Sequence, residues 1–159
     1  MRIAALLVAV LSALGPADAR AQSNWDRYRP STFASIVEQH KASVEGSGDS
    51  YSTQPFPSRV RVTWTGQIRA IDGERKTFLA RYFTMIRRND LAAFFQREVL
   101  VREGERALWV PIQEGLVAHL EKEVAPGKNV LVFATWMGAI KTLLGHEWIF
   151  GINEFERIP

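Results

Sequence analysis

Residues 109–133, WVPIQEGLVAHLEKEVAPGKNVLVF, decide the fold. Val110 and Ile112 alternate with Trp109, Pro111 and Gln113, which is the period of a strand. Leu116, Val117, Leu120 and Val124 then recur at helical spacing, so a helix is expected over 114–124. Pro126-Gly127 stops it. The run NVLVFATWM, 129–137, is apolar on both faces and reads as a buried strand.

Working outward, REVLVREGERALWVPIQ, 97–113, is a hairpin around Glu103-Gly104-Glu105. Val99 and Val101 on one arm face Leu108, Val110 and Ile112 on the other. Before it, RVRVTWTGQIRAI, 59–71, alternates cleanly. Val60, Val62, Trp64 and Ile68 point one way; Arg59, Arg61, Thr63, Thr65, Gln67 and Arg69 point the other. That is a long strand with one wet face, and Gly66 inside it marks a bulge or sharp bend. Between these strands, Phe78, Leu79, Tyr82, Phe83 and Ile86 break alternation and fit a helix, with Asp72 as its N-cap. A second short helix follows Asn89-Asp90. The β-branched and aromatic content of 72–96 leaves a strand as the alternative there.

At the C-terminal side, GAIKTLLG, 138–145, reads as a loop between glycines, and HEWIFGINEFE, 146–156, as a final strand. At the N-terminal side, STFASIVEQHKASV, 31–44, carries Phe33, Ile36, Val37, His40 and Val44 on one helical stripe. Pro30 precedes it, and Ser31 or Thr32 can cap it. EGSGDSYSTQPFPS, 45–58, reads as a Gly/Ser/Pro loop.

In order, these are a strand, a helical insertion, two strands, a helix and two strands. Five strands with a helix between the third and fourth resemble an OB-fold, over about residues 59–156. The expected class is therefore α+β, mainly β: a five-stranded OB-like barrel with a helical insertion after its first strand. The ending WIFGINEFE and the turn APGKNVLVF are similar to those of small exported OB-like proteins of bacteria. No functional residue transfers from that likeness.

The 159 residues suit one domain, and 47% hydrophobic content argues against disorder. The first residues, MRIAALLVAVLSALGPADARAQS, place Arg2 before an apolar run of 12 residues from Ile3 to Leu14. The A-x-A sites Ala17-Asp18-Ala19 and Ala19-Arg20-Ala21 follow. This is the order of a secretory signal peptide, and the run is too short to span a membrane. Three segments are expected: a leader over 1–21, a helix and loop over 22–58, and the barrel over 59–159. Export to the periplasm or beyond follows. With no cysteine there is neither a disulfide nor an N-terminal lipid anchor, so the core must stabilise the fold alone.

Charge is unevenly spread. Residues 59–88 hold eight Arg and Lys against Asp72 and Glu74, while 98–156 hold nine Glu against five Arg and Lys. Such blocks either mark an anionic partner or pair with each other in space.

OB-folds that bind ligands use the outer face of the second and third strands and the loops after the first and fourth. That mapping points to Leu100 and Arg102, to Trp109, Pro111 and Gln113, and to Ile140, Leu143 and Leu144 in the 138–145 loop. A Trp beside an Arg is suited to stacking and charge pairing. The alternative is that the insertion buries Trp109 against Phe94 or Phe95. A second candidate surface is the basic face Arg59, Arg61 and Arg69. His119 and Glu123 share a helix face, but no third metal ligand is placed by spacing. His40 reads as a packed residue. No nucleophile elbow or phosphate loop is present, and no cofactor or metal is implied. The expected function is an exported binding module, with an envelope protein as partner. Binding of an anionic polymer or lipid through the arginines is the first alternative, and an envelope hydrolase the second.

Overall fold

A computed structural model describes residues 25–159; the expected leader, 1–21, lies outside them. The elements in order are β1 (Arg29–Ser31), α1 (Phe33–Gly46), β2 (Tyr51–Ala70), α2 (Gly73–Met85), a 3₁₀ turn (Asn89–Phe94), β3 (Arg97–Glu103), β4 (Arg106–Ile112), α3 (Glu114–Glu123), β5 (Asn129–Thr142) and β6 (Gly145–Arg157). The strand order is β1-β2-β3-β4-β6-β5, and β2 pairs again with β5. That last pairing closes β2 to β6 into a five-stranded OB-like barrel, as the order of elements implied. The sixth strand, β1, is short and runs parallel to β2 at Ser58–Val60.

Closure depends on β2. Tyr51 to Thr63 pairs with β5, while Thr63 to Ala70 pairs with β3. The strand changes partner across a register shift between Trp64 and Ile68. Gly66 sits there with φ of 86°, a left-handed conformation that glycine adopts without cost. The turn after α3 docks on the bulge: Gly127 N–H donates to the Trp64 carbonyl at 2.7 Å, and Trp64 N–H donates to the Lys128 carbonyl at 3.1 Å.

Two expectations are corrected. Residues 51–58 are strand, not loop, because Pro55 and Pro57 fall at or beside a register shift between Ser52 and Phe56, where missing N–H donors are tolerated. Residues 138–142 and 145 are also strand: β5 and β6 meet in a hairpin whose turn is only Leu143-Leu144. Gly138, with φ of 144°, marks a bulge rather than a loop start. The insertion is helical, with the Asp72 carboxylate accepting from Arg75 N–H at 3.0 Å.

Inside the barrel, Val60, Val62, Trp64, Val99, Val101, Val110, Ile112, Val132, Phe150 and Ile152 form one core. The helix α3 contributes Val117 and Leu120 to it, and α1 contributes Phe33, Ile36 and Val44. Phe33 and Phe150 have ring centroids 4.4 Å apart. The Thr32 hydroxyl and Ser35 cap α1 reciprocally, and Glu103 accepts from the N–H groups of Phe33 and Ala34 at 2.6 and 2.9 Å. A carboxylate from the β3–β4 hairpin thus satisfies helix-end donors and pins α1.

A second core lies on the outer side of β5 and β6. There α2 lays Phe78, Leu79, Tyr82 and Phe83 over Met137, Ile140 and Ile149. Further along β5, Trp25 and Tyr28 cover Phe133, with centroids 4.9 and 5.6 Å away. Strand β5 is therefore buried on both faces, as its doubly apolar sequence implied. His40 is packed between Trp136 and Phe56, at 4.4 and 5.3 Å. Burial holds its pKa below the ordinary value.

A Cβ at Gly66 meets the Pro126 ring at 2.7 Å, whereas one at Gly138 meets the Tyr51 backbone carbonyl at 2.0 Å. Ala at position 66 should cost about 1–3 kcal/mol. Ala at 138 should cost more, because a backbone ladder and not one ring must move. Urea unfolding of both variants measures the order. For His40, the folded pKa lies below the unfolded one, so the unfolded chain takes up the proton first. Stability should fall as pH drops below about 6.5. His40→Gln should flatten that slope in thermal unfolding at pH 7 to 5.

Candidate functional site

The third and fifth barrel strands barely touch. The only register pair between β4 and β6 is Ile112 with Ile152, extended by Gln113 N–H to the Ile152 carbonyl at 3.1 Å. Towards the hairpin tips the two strands part and leave a cleft of about 410 Å³. Leu108, Trp109, His146, Glu147 and Trp148 line it, with Val37 of α1.

One side chain bridges this seam. Arg75 lies on the apolar stripe of α2 and is 2% exposed. Its Nη2 donates to the Trp109 carbonyl on β4 at 2.8 Å, and its Nη1 donates to Glu147 on β6. Its Nε lies 2.7 Å from Oε2 of Glu98, an ion-pair distance with off-axis N–H geometry. Glu98 is fully buried, and its other oxygen accepts from Arg69 Nε at 2.6 Å. The Arg69 guanidinium carbon then sits 4.1 Å over the Trp109 ring. Two guanidiniums thus neutralise one buried carboxylate and hold Trp109 by its ring and its carbonyl.

The expected site residues divide on this frame. Leu100 lies directly across from Trp109 in the β3–β4 register, and both are half-buried. Arg102 is exposed two pairs further along, opposite Ala107. The arginine that meets Trp109 is Arg69, not Arg102. Trp109 is not buried against Phe94 or Phe95: Phe94 is exposed, and Phe95 stacks on Phe83. Pro111 is buried beside Glu98. Gln113 turns away and donates to Asn153 at 3.2 Å. Ile140 is buried under α2, whereas Leu143 and Leu144 are wholly exposed. They flank a groove with Glu74 and Lys141, one residue from Arg75 in sequence.

The basic face is divided: Arg59 and Arg61 lie two residues apart on β2, opposite Phe133 and Leu131 of β5, and Arg69 lies beyond the bulge. Arg69 is engaged by Glu98 and Trp109. Arg61 lies eight residues away, about 26 Å of extended chain, beside Glu156, Lys128 and Arg157 in a groove of about 860 Å³. That groove opens at the far end of the β5–β6 hairpin and mixes both signs of charge. The two charge blocks do pair: Arg69 and Arg75 come from the basic one, Glu98 and Glu147 from the acidic one.

His119 and Glu123 form an exposed i,i+4 pair at 3.6 Å. Among the described residues, no group of three or more His, Asp or Glu is placed to hold a metal ion. Sequence reasoning misses Glu98, Glu147 and Trp148, and it counts Arg75 among the basic residues open to an anionic partner rather than as a buried bridge. Arg75 left one signal: it precedes Phe78, Leu79 and Tyr82 at three, four and seven positions, so an arginine occupies the buried stripe. Glu98 left none. No protein-family model matches the chain, and no curated protein matches it in sequence.

Removing one partner of a buried pair leaves the other uncompensated. Glu98→Ala and Arg75→Ala should each cost about 3–5 kcal/mol in urea unfolding. The double variant should cost clearly less than the sum of the two.

Proposed function

We propose that the mature chain is an exported, non-enzymatic binding module that engages an envelope protein through the β5–β6 hairpin tip, with the Trp109 cleft beside it. The tip carries this reading: Leu143 and Leu144 have relative exposures of 105% and 101%. Neither leucine has a positive φ, so the turn accepts polar residues there as readily as apolar ones. Two leucines there contribute nothing to this fold and cost solubility. Burying both on a partner would contribute about 3–6 kcal/mol before association costs.

The flanking chemistry favours a protein over a lipid surface. A membrane-seeking tip is ringed by cations. Here the leucines are flanked by Glu74 and Lys141, and the Lys141 ammonium is already bonded to the Gly48 carbonyl. The anionic-polymer alternative is weakened by the engagement of Arg69. The leader pattern at 1–21 supports export. No helix of the described residues is long and apolar enough to cross a membrane.

The absence of cysteine allows a clean test. Leu144→Cys introduces a single thiol for a photo-crosslinker, and Lys122→Cys on α3 serves as control. In envelope extract, position 144 should give a discrete protein adduct that position 122 does not. Adding Leu143→Ser should reduce it at least tenfold while stability stays within about 0.5 kcal/mol. Equal adducts from both positions, or transfer of the label to lipid alone, would sink the proposal.

A further inference from the structure

The outer side of β5–β6 has two covers that do not meet. One is α2 with the 3₁₀ turn; the other is the Trp25–Tyr28 segment. Between them lies a cavity of about 390 Å³. Thr135, Met137 and Asn153 form its floor, Tyr82 and Phe83 one wall, and Trp25 and Tyr28 the other. The size is at the small end of ligand sites and suits a molecule of one or two rings.

A polar relay crosses the floor. Gln113 Nε2 donates to Asn153 Oδ1 at 3.2 Å. Asn153 Nδ2 donates to Thr135 Oγ1 at 2.9 Å and to the Tyr28 hydroxyl at 3.1 Å. Because Thr135 and Tyr28 accept from Asn153, their own hydroxyl hydrogens remain to be donated, and neither has an acceptor among the described residues. The Tyr82 hydroxyl is shut off from solvent and has no partner among the described residues. Burial holds its phenol well above the ordinary range, so it stays a donor at every working pH. It is sealed behind the wall and takes no part in the relay.

We propose that this cavity is a binding site for a flat, uncharged ring compound bearing a carbonyl or similar acceptor oxygen. The aromatic walls take the ring, and the hydroxyls of Tyr28 and Thr135, both bonded to Asn153, donate to the acceptor. Charge is confined to Arg27 and Glu154, one of each sign, so the site offers no net attraction to an anion or a cation. The cavity is formed by different elements from the hairpin tip and the Trp109 cleft, and the proposal stands whether or not a protein docks there.

7-Hydroxycoumarin is a suitable probe: two fused rings, a lactone carbonyl and intrinsic fluorescence. Titrated into the full mature protein, it should bind saturably in the micromolar range, with quenching of tryptophan emission that Trp25→Phe reduces. Tyr82→Phe, at a hydroxyl sealed from solvent, should leave affinity unchanged, whereas Tyr28→Phe should weaken binding at least tenfold. Thr135→Val should weaken binding in the same direction. Naphthalene, with the rings but no acceptor, should bind at least tenfold more weakly than the coumarin. No saturable binding up to millimolar probe would overturn the proposal. So would coumarin and naphthalene binding equally, or an affinity that ignores Tyr28→Phe.

Discussion

Everything in this molecule depends on one strand serving two ladders. β2 closes the barrel against β5 with its first two-thirds and pairs with β3 through its last third. A straight strand cannot do both, because each ladder needs the strand edge at a different angle. The bulge at Gly66 supplies the change, and the Pro126-Gly127 turn holds it from outside. The turn after α3 is thereby tied to the bend in β2. The helix, the bend and the interior are three parts of one closure.

Closure leaves a weak line. The β4–β6 edge is short, so its backbone groups towards the hairpin tips lack a ladder. Arg75 supplies partners from an insertion helix and brings Glu98 into the wall with it. Buried ion pairs rarely add net stability, since desolvation offsets most of the Coulomb attraction. Their effect here is geometric. They dock α2 at one height against the seam, orient Trp109, and set the width of the cleft. The docked α2 then covers the outer face of β5 and β6, which is why that strand pair is apolar on both sides.

Two surfaces result, with different physics. At the hairpin tip, apolar surface is exposed without serving the fold. Between the two covers of β5–β6, polar groups are buried without all their partners. Exposed leucines gain from meeting another apolar surface, and an unpartnered hydroxyl gains from an acceptor. Both are departures from what stability alone would select, and both lie on parts of the chain added to the barrel or extending from it.

The barrel elements were legible because their signals are local. Alternation over 59–71 and 97–113 and the helical period over 114–124 follow from period two and period 3.6, and burial on one face enforces them. The insertion was legible from the Asp72 cap and the Phe78–Ile86 stripe for the same reason. Where local chemistry misled, it did so through residues with two uses. Pro55 and Pro57 read as loop but lie in or beside a strand bulge, and Gly138 read as a loop end but is a bulge. The candidate face was half legible: Trp109 and Leu143–Leu144 were named, but the partner of Trp109 was assigned to Arg102. Only the tertiary structure decided that Arg69 covers it, that Arg75 crosses the seam to a glutamate 72 residues away, and that Gln113 turns to Asn153. Those contacts join distant segments, and a side chain's charge does not say which of several opposite charges it will meet. The closure of the barrel makes that choice, by bringing particular residues within a few ångströms and excluding water from between them.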